Sequence, residues 1–201
     1  MNACIDEAGR GCVYGPVCAS AVLWNDEVTH SLLRDSKRLS AKQRNEMYDF
    51  VTDNAIDWSV CYAEAEEVDS LNILHATQLA MHRCLDSLDV CFDEILVDGN
   101  FFSSYHGIPY RCIVGGDNVV PGISAASILA KVSRDRRVCE DVLKRPELEQ
   151  YCIQQNKGYC TKAHCDAIQK IGRTAGHRMT FMLPFEKKYQ IYNGKDLQTG
   201  S

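Results

Sequence analysis

Four acidic residues stand where short apolar runs give out: Asp6 and Glu7 after NACI, Asp98 after EILV, and Asp117 after CIVGG. Carboxylates gathered in one place repel one another unless something positive sits among them. Oxygen-rich sites suit Mg2+ or Mn2+, and two such ions can clamp the attacking and leaving oxygens of a phosphodiester. No histidine or cysteine adjoins any of the four, which makes zinc a poor candidate. Directly after the first pair come Gly9, Arg10 and Gly11, then Gly15 and Pro16. Glycine lets a ligand approach the backbone closely, and a guanidinium can fork onto a phosphate. Each feature alone has a plainer explanation. Asp98 in VDGN and Asp117 in GGD read as turn residues, and the two glycines as a tight turn.

These acids act together only if the chain brings strand ends together. NACID reads as a first strand and VYGPVCASAVLW as a second, longer one. WSVCYAEA alternates like a strand, while FDEILVDGN and YRCIVGGD read as strands ending at glycine turns. Ser40 is placed to cap a helix over AKQRNEMYDFVTDN, with Met47, Phe50 and Val51 on one face. EEVDSLNILHATQLAMHRCLDSL reads as a helix with Leu71, Leu74, Leu79, Met81 and Leu85 among its buried positions. ISAASILAKVSRDRRVCEDVLKR reads as a long helix, and Thr161 as the cap of another over KAHCDAIQKI. The pattern predicts an α/β fold with a mixed β-sheet flanked by helices. Consecutive strand residues face opposite ways, so Asp6 and Glu7 cannot both address one ion from ideal geometry. Either the strand breaks at Glu7, or Glu7 contributes through its carbonyl or a water, leaving Asp6 the more direct ligand.

At 201 residues the chain fits one domain with modest appendages. Its longest apolar run, VCASAVLW, falls short of the roughly 20 residues of a membrane span, and no secretion signal is read at the start. Neither GxxxxGK[ST] nor a GxGxxG after a strand is present. The eleven cysteines form no CxxC; the nearest zinc pattern, Cys160, His164 and Cys165, lacks a fourth ligand. They read as thiols in a reducing cytosol. The net charge of −5 hides strong asymmetry. Residues 46 to 98 hold thirteen acids and one base, whereas residues 157 to 188 hold seven bases and two acids. A second basic run spans residues 34 to 44, so nucleic acid is not excluded as a partner.

IDEAGRGCVYGPV, DSKRLS at 35 to 40, LNILHAT at 71 to 77, ILVDGN at 95 to 100, GGDNVVPGISAASILAKVSRD at 115 to 135 and NKGYCTKAH at 156 to 164 occur in this order. Together they resemble the bacterial ribonuclease HII family, and HRMTFMLP at 177 to 184 is similar to that family's C-terminal HRxSFxP segment. The resemblance implies a ribonuclease H-like catalytic region over 1–145, a C-terminal helical substrate-binding region over 146–190 and a polar tail over 191–201. It implies an acidic tetrad of Asp6, Glu7, Asp98 and Asp117 holding two divalent cations, Mg2+ or Mn2+. Gly9, Arg10 and Gly11 would grip the ribonucleotide and its phosphate, and Tyr159 would stack on the sugar of the deoxynucleotide just 3′ of it. Ser36, Lys37 and Lys162 are further phosphate candidates. The family cuts 5′ of a ribonucleotide embedded in duplex DNA, and RNA within RNA/DNA hybrids, leaving a 3′-hydroxyl and a 5′-phosphate.

The work implied is ribonucleotide excision repair and RNA primer removal by a cytoplasmic monomer with no membrane partner. A ribonuclease HIII-like hybrid nuclease and a non-catalytic nucleic-acid-binding module are the alternatives. Thr180 replaces the family's usual serine and keeps a hydroxyl. Asp135, deep in the long helix, reads as a surface ion-pair partner, and His164 and His177 as structural histidines.

Overall fold

Five strands pair in the order β3-β2-β1-β4-β5 in the computed structural model, which describes residues 1–34 and 39–186. β1 (Asn2–Ala8), β2 (Val17–Leu23) and β3 (Asp57–Ala63) form an antiparallel meander. β4 (Glu94–Asp98) joins β1 in parallel, and β5 (Tyr110–Ile113) joins β4 in parallel. The sheet is therefore mixed, as the strand pattern predicts. β2 is buried along its whole length, which its small and β-branched residues permit.

Strand alternation sorts the core into two layers. Ala3, Ile5, Ala19, Ala21, Ile95 and Val97 face α2 (Ala65–Asp86), meeting Ala76, Ala80 and Met81. Val22 faces the other side, where α1 (Ala41–Asn54) and α3 (Pro121–Lys144) supply Met47, Val51, Ala126 and Leu129. Helix α3 starts small for a reason: a Cβ on Gly122 would lie 2.5 Å from Cys4 Sγ. Ser40 caps α1 with a reciprocal Gln43 bond, as its position suggests. Beyond α3, the short α4 (Ile153–Asn156) and α5 (Lys162–Ile171) pack with Tyr14, Val138, Val142 and Leu183 in a separate apolar cluster.

One of the two alternatives for Glu7 is excluded, and one expected buried position fails. β1 does not break at Glu7; it continues to Ala8, with Glu7 opposite Ala19 and Ala8 opposite Cys18. Leu71 is exposed, because α2 kinks at Asn72, which takes a positive φ of 63°. The Asn72 Oδ1 then accepts from the amides of Leu74 and His75, recapping the helix and shifting its phase. Among the described residues, no helix is long and apolar enough to cross a membrane.

Candidate active site

The parallel register of β1 and β4 pairs Ile5 with Val97, so the next acid on each, Asp6 and Asp98, falls side by side where β4 ends and β1 has two residues left to run. Asp6 points toward α3, is buried, and accepts hydrogen bonds from the Glu7 amide at 2.7 Å and the Ser127 hydroxyl. Burial, then the charges of Glu7 and Asp98, push its carboxyl well above the ordinary aspartate range. Glu7 points the opposite way, into a cleft that it lines with Arg10, Leu74, Gln78, Asp98 and Phe101. Asp98 thus lies between the two, beside Asp6 in register and in the cleft with Glu7. Its Oδ1 accepts from the Gly116 amide at 2.7 Å. Asp117, the next residue, is buried in a one-turn helix and held by Asn118 Nδ2 at 2.7 Å.

Among the described residues no three acids, cysteines or histidines close into a finished ligand shell. The donor set is nevertheless all oxygen, and the buried Asp6 is destabilised by its neighbours' charge. A hard divalent cation fits such a set and relieves that repulsion.

The glycine loop is built around two buried arginines that sequence reasoning passed over. Arg134 of α3 donates to three carbonyls: Nε to Pro16 at 3.0 Å, Nη1 to Lys157 at 2.8 Å and Nη2 to Tyr14 at 3.0 Å. Arg178 donates through Nε to the Gly15 carbonyl at 3.1 Å and through Nη1 to the Arg10 carbonyl at 2.8 Å. Burial lowers its pKa to about 10, so it stays charged at neutral pH. Gly9 adopts a φ of +92°, and a Cβ there would sit 1.9 Å from Arg134 Nε. Gly11 differs, since nothing lies within 4 Å of where its Cβ would be. Arg10 is half-exposed with its guanidinium 3.3 Å from Glu7.

Tyr159 is joined to this loop. Cys12 bridges it, and the Gly158 carbonyl accepts from the amides of Val13 at 2.9 Å and Tyr14 at 3.2 Å. Tyr159 is 41% exposed, with Lys131 Nζ 5.4 Å and Arg134 Cζ 5.8 Å from its ring centre. Behind it, His164 and His177 are buried and face each other, Nε2 to Nε2, at 3.0 Å. The Thr174 amide donates to His177 Nδ1, and His164 Nδ1 lies 2.9 Å from the Tyr159 carbonyl. One tautomer of each ring satisfies all four nitrogens, so the pair is structural. Burial lowers both histidines, His177 to about 4.

Lys162 opens α5, capped by Thr161, and its ammonium meets Asp166 at 2.6 Å. Asp135 pairs with Lys131 at 2.8 Å, as expected. Thr180 Oγ1 donates to Asp69 at 2.6 Å. Ser36 and Lys37 lie outside the described residues. A signal for Arg134 existed: it interrupts the buried stripe Ala130, Val138, Val142 at four-residue spacing.

The fold matches solved ribonucleases of one class. A ribonuclease H2 from Pyrococcus horikoshii superposes with a TM-score of 0.73, covering 96% of this chain and 99% of that one, at 22% identity. Bst-RNase HIII, solved in complex with Mn2+, gives a TM-score of 0.67 over 96% of this chain and 70% of that one, at 14% identity. The architecture is thus that of ribonucleases H2 and H3. The family model for ribonuclease HII matches residues 3–184. A ribonuclease HII from Christiangramia forsetii is 46% identical over 178 residues, covering 89% of this chain and 88% of that protein. The chain belongs to the ribonuclease HII family. It is accordingly an endonuclease of the ribonuclease H kind, acting on RNA/DNA substrates with the divalent-metal dependence of its family.

Proposed function

We propose that Asp6, Glu7, Asp98 and Asp117 hold two divalent cations, Mg2+ or Mn2+, and that the chain incises duplex DNA immediately 5′ of an embedded ribonucleotide. It cuts RNA in RNA/DNA hybrids by the same chemistry, leaving a 3′-hydroxyl and a 5′-phosphate. The observation that carries this reading is the β1–β4 register, which sets Asp6 beside Asp98 on the strand that runs straight into Gly9, Arg10 and Gly11. When bound, such ions supply an activated water and stabilise the departing oxygen.

The protein's own part is selection and positioning. Backbone groups at residues 9–11 meet the 2′-hydroxyl, the group that separates RNA from DNA. The bare Cα of Gly11 leaves room for that approach. Arg10 offers a charged fork to the adjacent phosphate, its guanidinium steadied by Glu7. Tyr159 presents its exposed ring to the next sugar, where a 2′-hydroxyl would crowd it. Lys162, with Ser36 and Lys37, makes outer phosphate contacts that set register without reading sequence. The chain works as a cytoplasmic monomer in ribonucleotide excision and primer removal, with residues 1–145 carrying catalysis and 146–190 gripping substrate.

Calorimetric titration with Mn2+ tests the metal half of this reading. Two equivalents are expected for the native chain bound to substrate, with a loss in Asp98→Asn. One equivalent, or an unchanged Asp98→Asn, would contradict it.

A further inference from the structure

Cys160 and Cys165 take no part in the chemistry above, yet their sulfurs lie 2.7 Å apart. That is less than an ångström beyond a disulfide bond of about 2.05 Å. Thr161 caps α5, so Cys160 precedes the cap and Cys165 is the fourth helical residue. This is the position pair at which side chains staple a chain to the helix it enters. Cys160 is partly exposed and Cys165 is buried. Burial, and then the bond to Cys160, push the Cys165 thiol up, and the partly exposed Cys160 is the sulfur that solvent reaches. Cys160 also follows Tyr159 directly, and the Thr161 amide donates to the Tyr159 carbonyl at 2.8 Å.

We propose that Cys160 and Cys165 are a redox modification site, closing to a reversible disulfide that clamps the Tyr159 segment onto the start of α5. The site holds independently of the substrate reading. With a peroxide as oxidant, the Cys160 sulfur attacks one peroxide oxygen and the O–O bond breaks, giving a sulfenic acid and one water. The Cys165 sulfur then attacks the Cys160 sulfur, the S–O bond breaks, and the departing hydroxide leaves as water with the Cys165 proton. Two electrons pass from the sulfurs to the peroxide, and a dithiol reductant reverses the bond.

Peptide mapping of the full chain after graded hydrogen peroxide, with free thiols alkylated and no reductant added, tests this. Trypsin cuts after Lys157, Lys162 and Lys170, so the bond joins GYCTK to AHCDAIQK. The expected result is that this joined pair, lighter than its two peptides by two hydrogen atoms, is the first crosslink to form. It vanishes with dithiothreitol and is absent in Cys160→Ser. Cys61 and Cys84 also interact, on β3 and α2, and are the natural competitor. A Cys61–Cys84 crosslink forming first, or Cys160 oxidised without linkage to Cys165, would overturn the assignment. Hydrogen exchange over residues 159–165 is expected to slow on oxidation in the native chain alone; unchanged exchange would overturn the clamp.

Discussion

Burying the Asp6 carboxylate beside Glu7 and Asp98 costs stability whenever no cation is bound, because desolvation and like charge both disfavour its ionised form. Replacing it with asparagine removes that charge while keeping a hydrogen-bonding side chain of similar size. In chelator, Asp6→Asn is therefore expected to melt higher than the native chain, by about 2–4 °C for each kcal/mol relieved. The same substitution is expected to lower incision at least about 100-fold, since even partners one step removed from a metal cost up to that much. Thermal unfolding and an incision assay check the two halves, and a lower melting temperature in chelator would refute the account of Asp6. The acids themselves were legible from where the apolar runs stop. Alternation set Asp6 and Glu7 on opposite faces only for an unbroken strand, and whether the strand broke at Glu7 was not legible; cross-strand pairing with β2 carries it through to Ala8.

Between the elements, buried Arg134 holds the glycine loop against the segment carrying Tyr159, and buried Arg178 ties the loop to the C-terminal segment. Gly9→Ala forces a side chain into a positive-φ position and against Arg134, costing about 1–3 kcal/mol for the backbone alone. Urea denaturation reads this, and a loss below measurement error would contradict both the backbone cost and the clash with Arg134. Arg134→Met leaves the buried carbonyl bonds of Tyr14 and Pro16 without their donor, each costing about 1–3 kcal/mol, and removes a part-buried bond to Lys157. It is expected to lower the urea midpoint and to raise KM for a ribonucleotide-bearing duplex more than it lowers kcat. A kcat loss with KM unchanged would point to a role elsewhere. All five strands and the longer helices were readable from periodicity and caps. Arg134 was not, because SRDRR looks like a solvated charge run until helical phase aligns it with Ala130 and Val138.

For the molecule as a whole, the His164–His177 pair ties the C-terminal segment to the rest and carries a pH signature. His177 has its folded pKa depressed to about 4, below the ordinary histidine value of about 6.5. Its contribution is therefore fully present above pH 6.5 and is lost as pH falls toward 4, where the unfolded chain binds the extra proton. Each such proton gives a slope of up to about 1.4 kcal/mol per pH unit. Unfolding free energy measured between pH 4 and 7 is expected to fall less steeply in His177→Gln than in the native chain; equal slopes would remove the pair as the cause. Motif order made the family legible from the sequence, while the loop architecture around Tyr159 depends on contacts between segments over a hundred residues apart, such as Arg178 to Arg10. The central claim is that one strand end and its glycine loop join metal-assisted hydrolysis to recognition of a single ribose. The most direct measurement is the cleavage position on a DNA duplex carrying one ribonucleotide, with Mg2+ or Mn2+. Incision immediately 5′ of the ribonucleotide, lost in Asp98→Asn, is predicted; incision elsewhere, none at all, or incision unchanged by Asp98→Asn would contradict it.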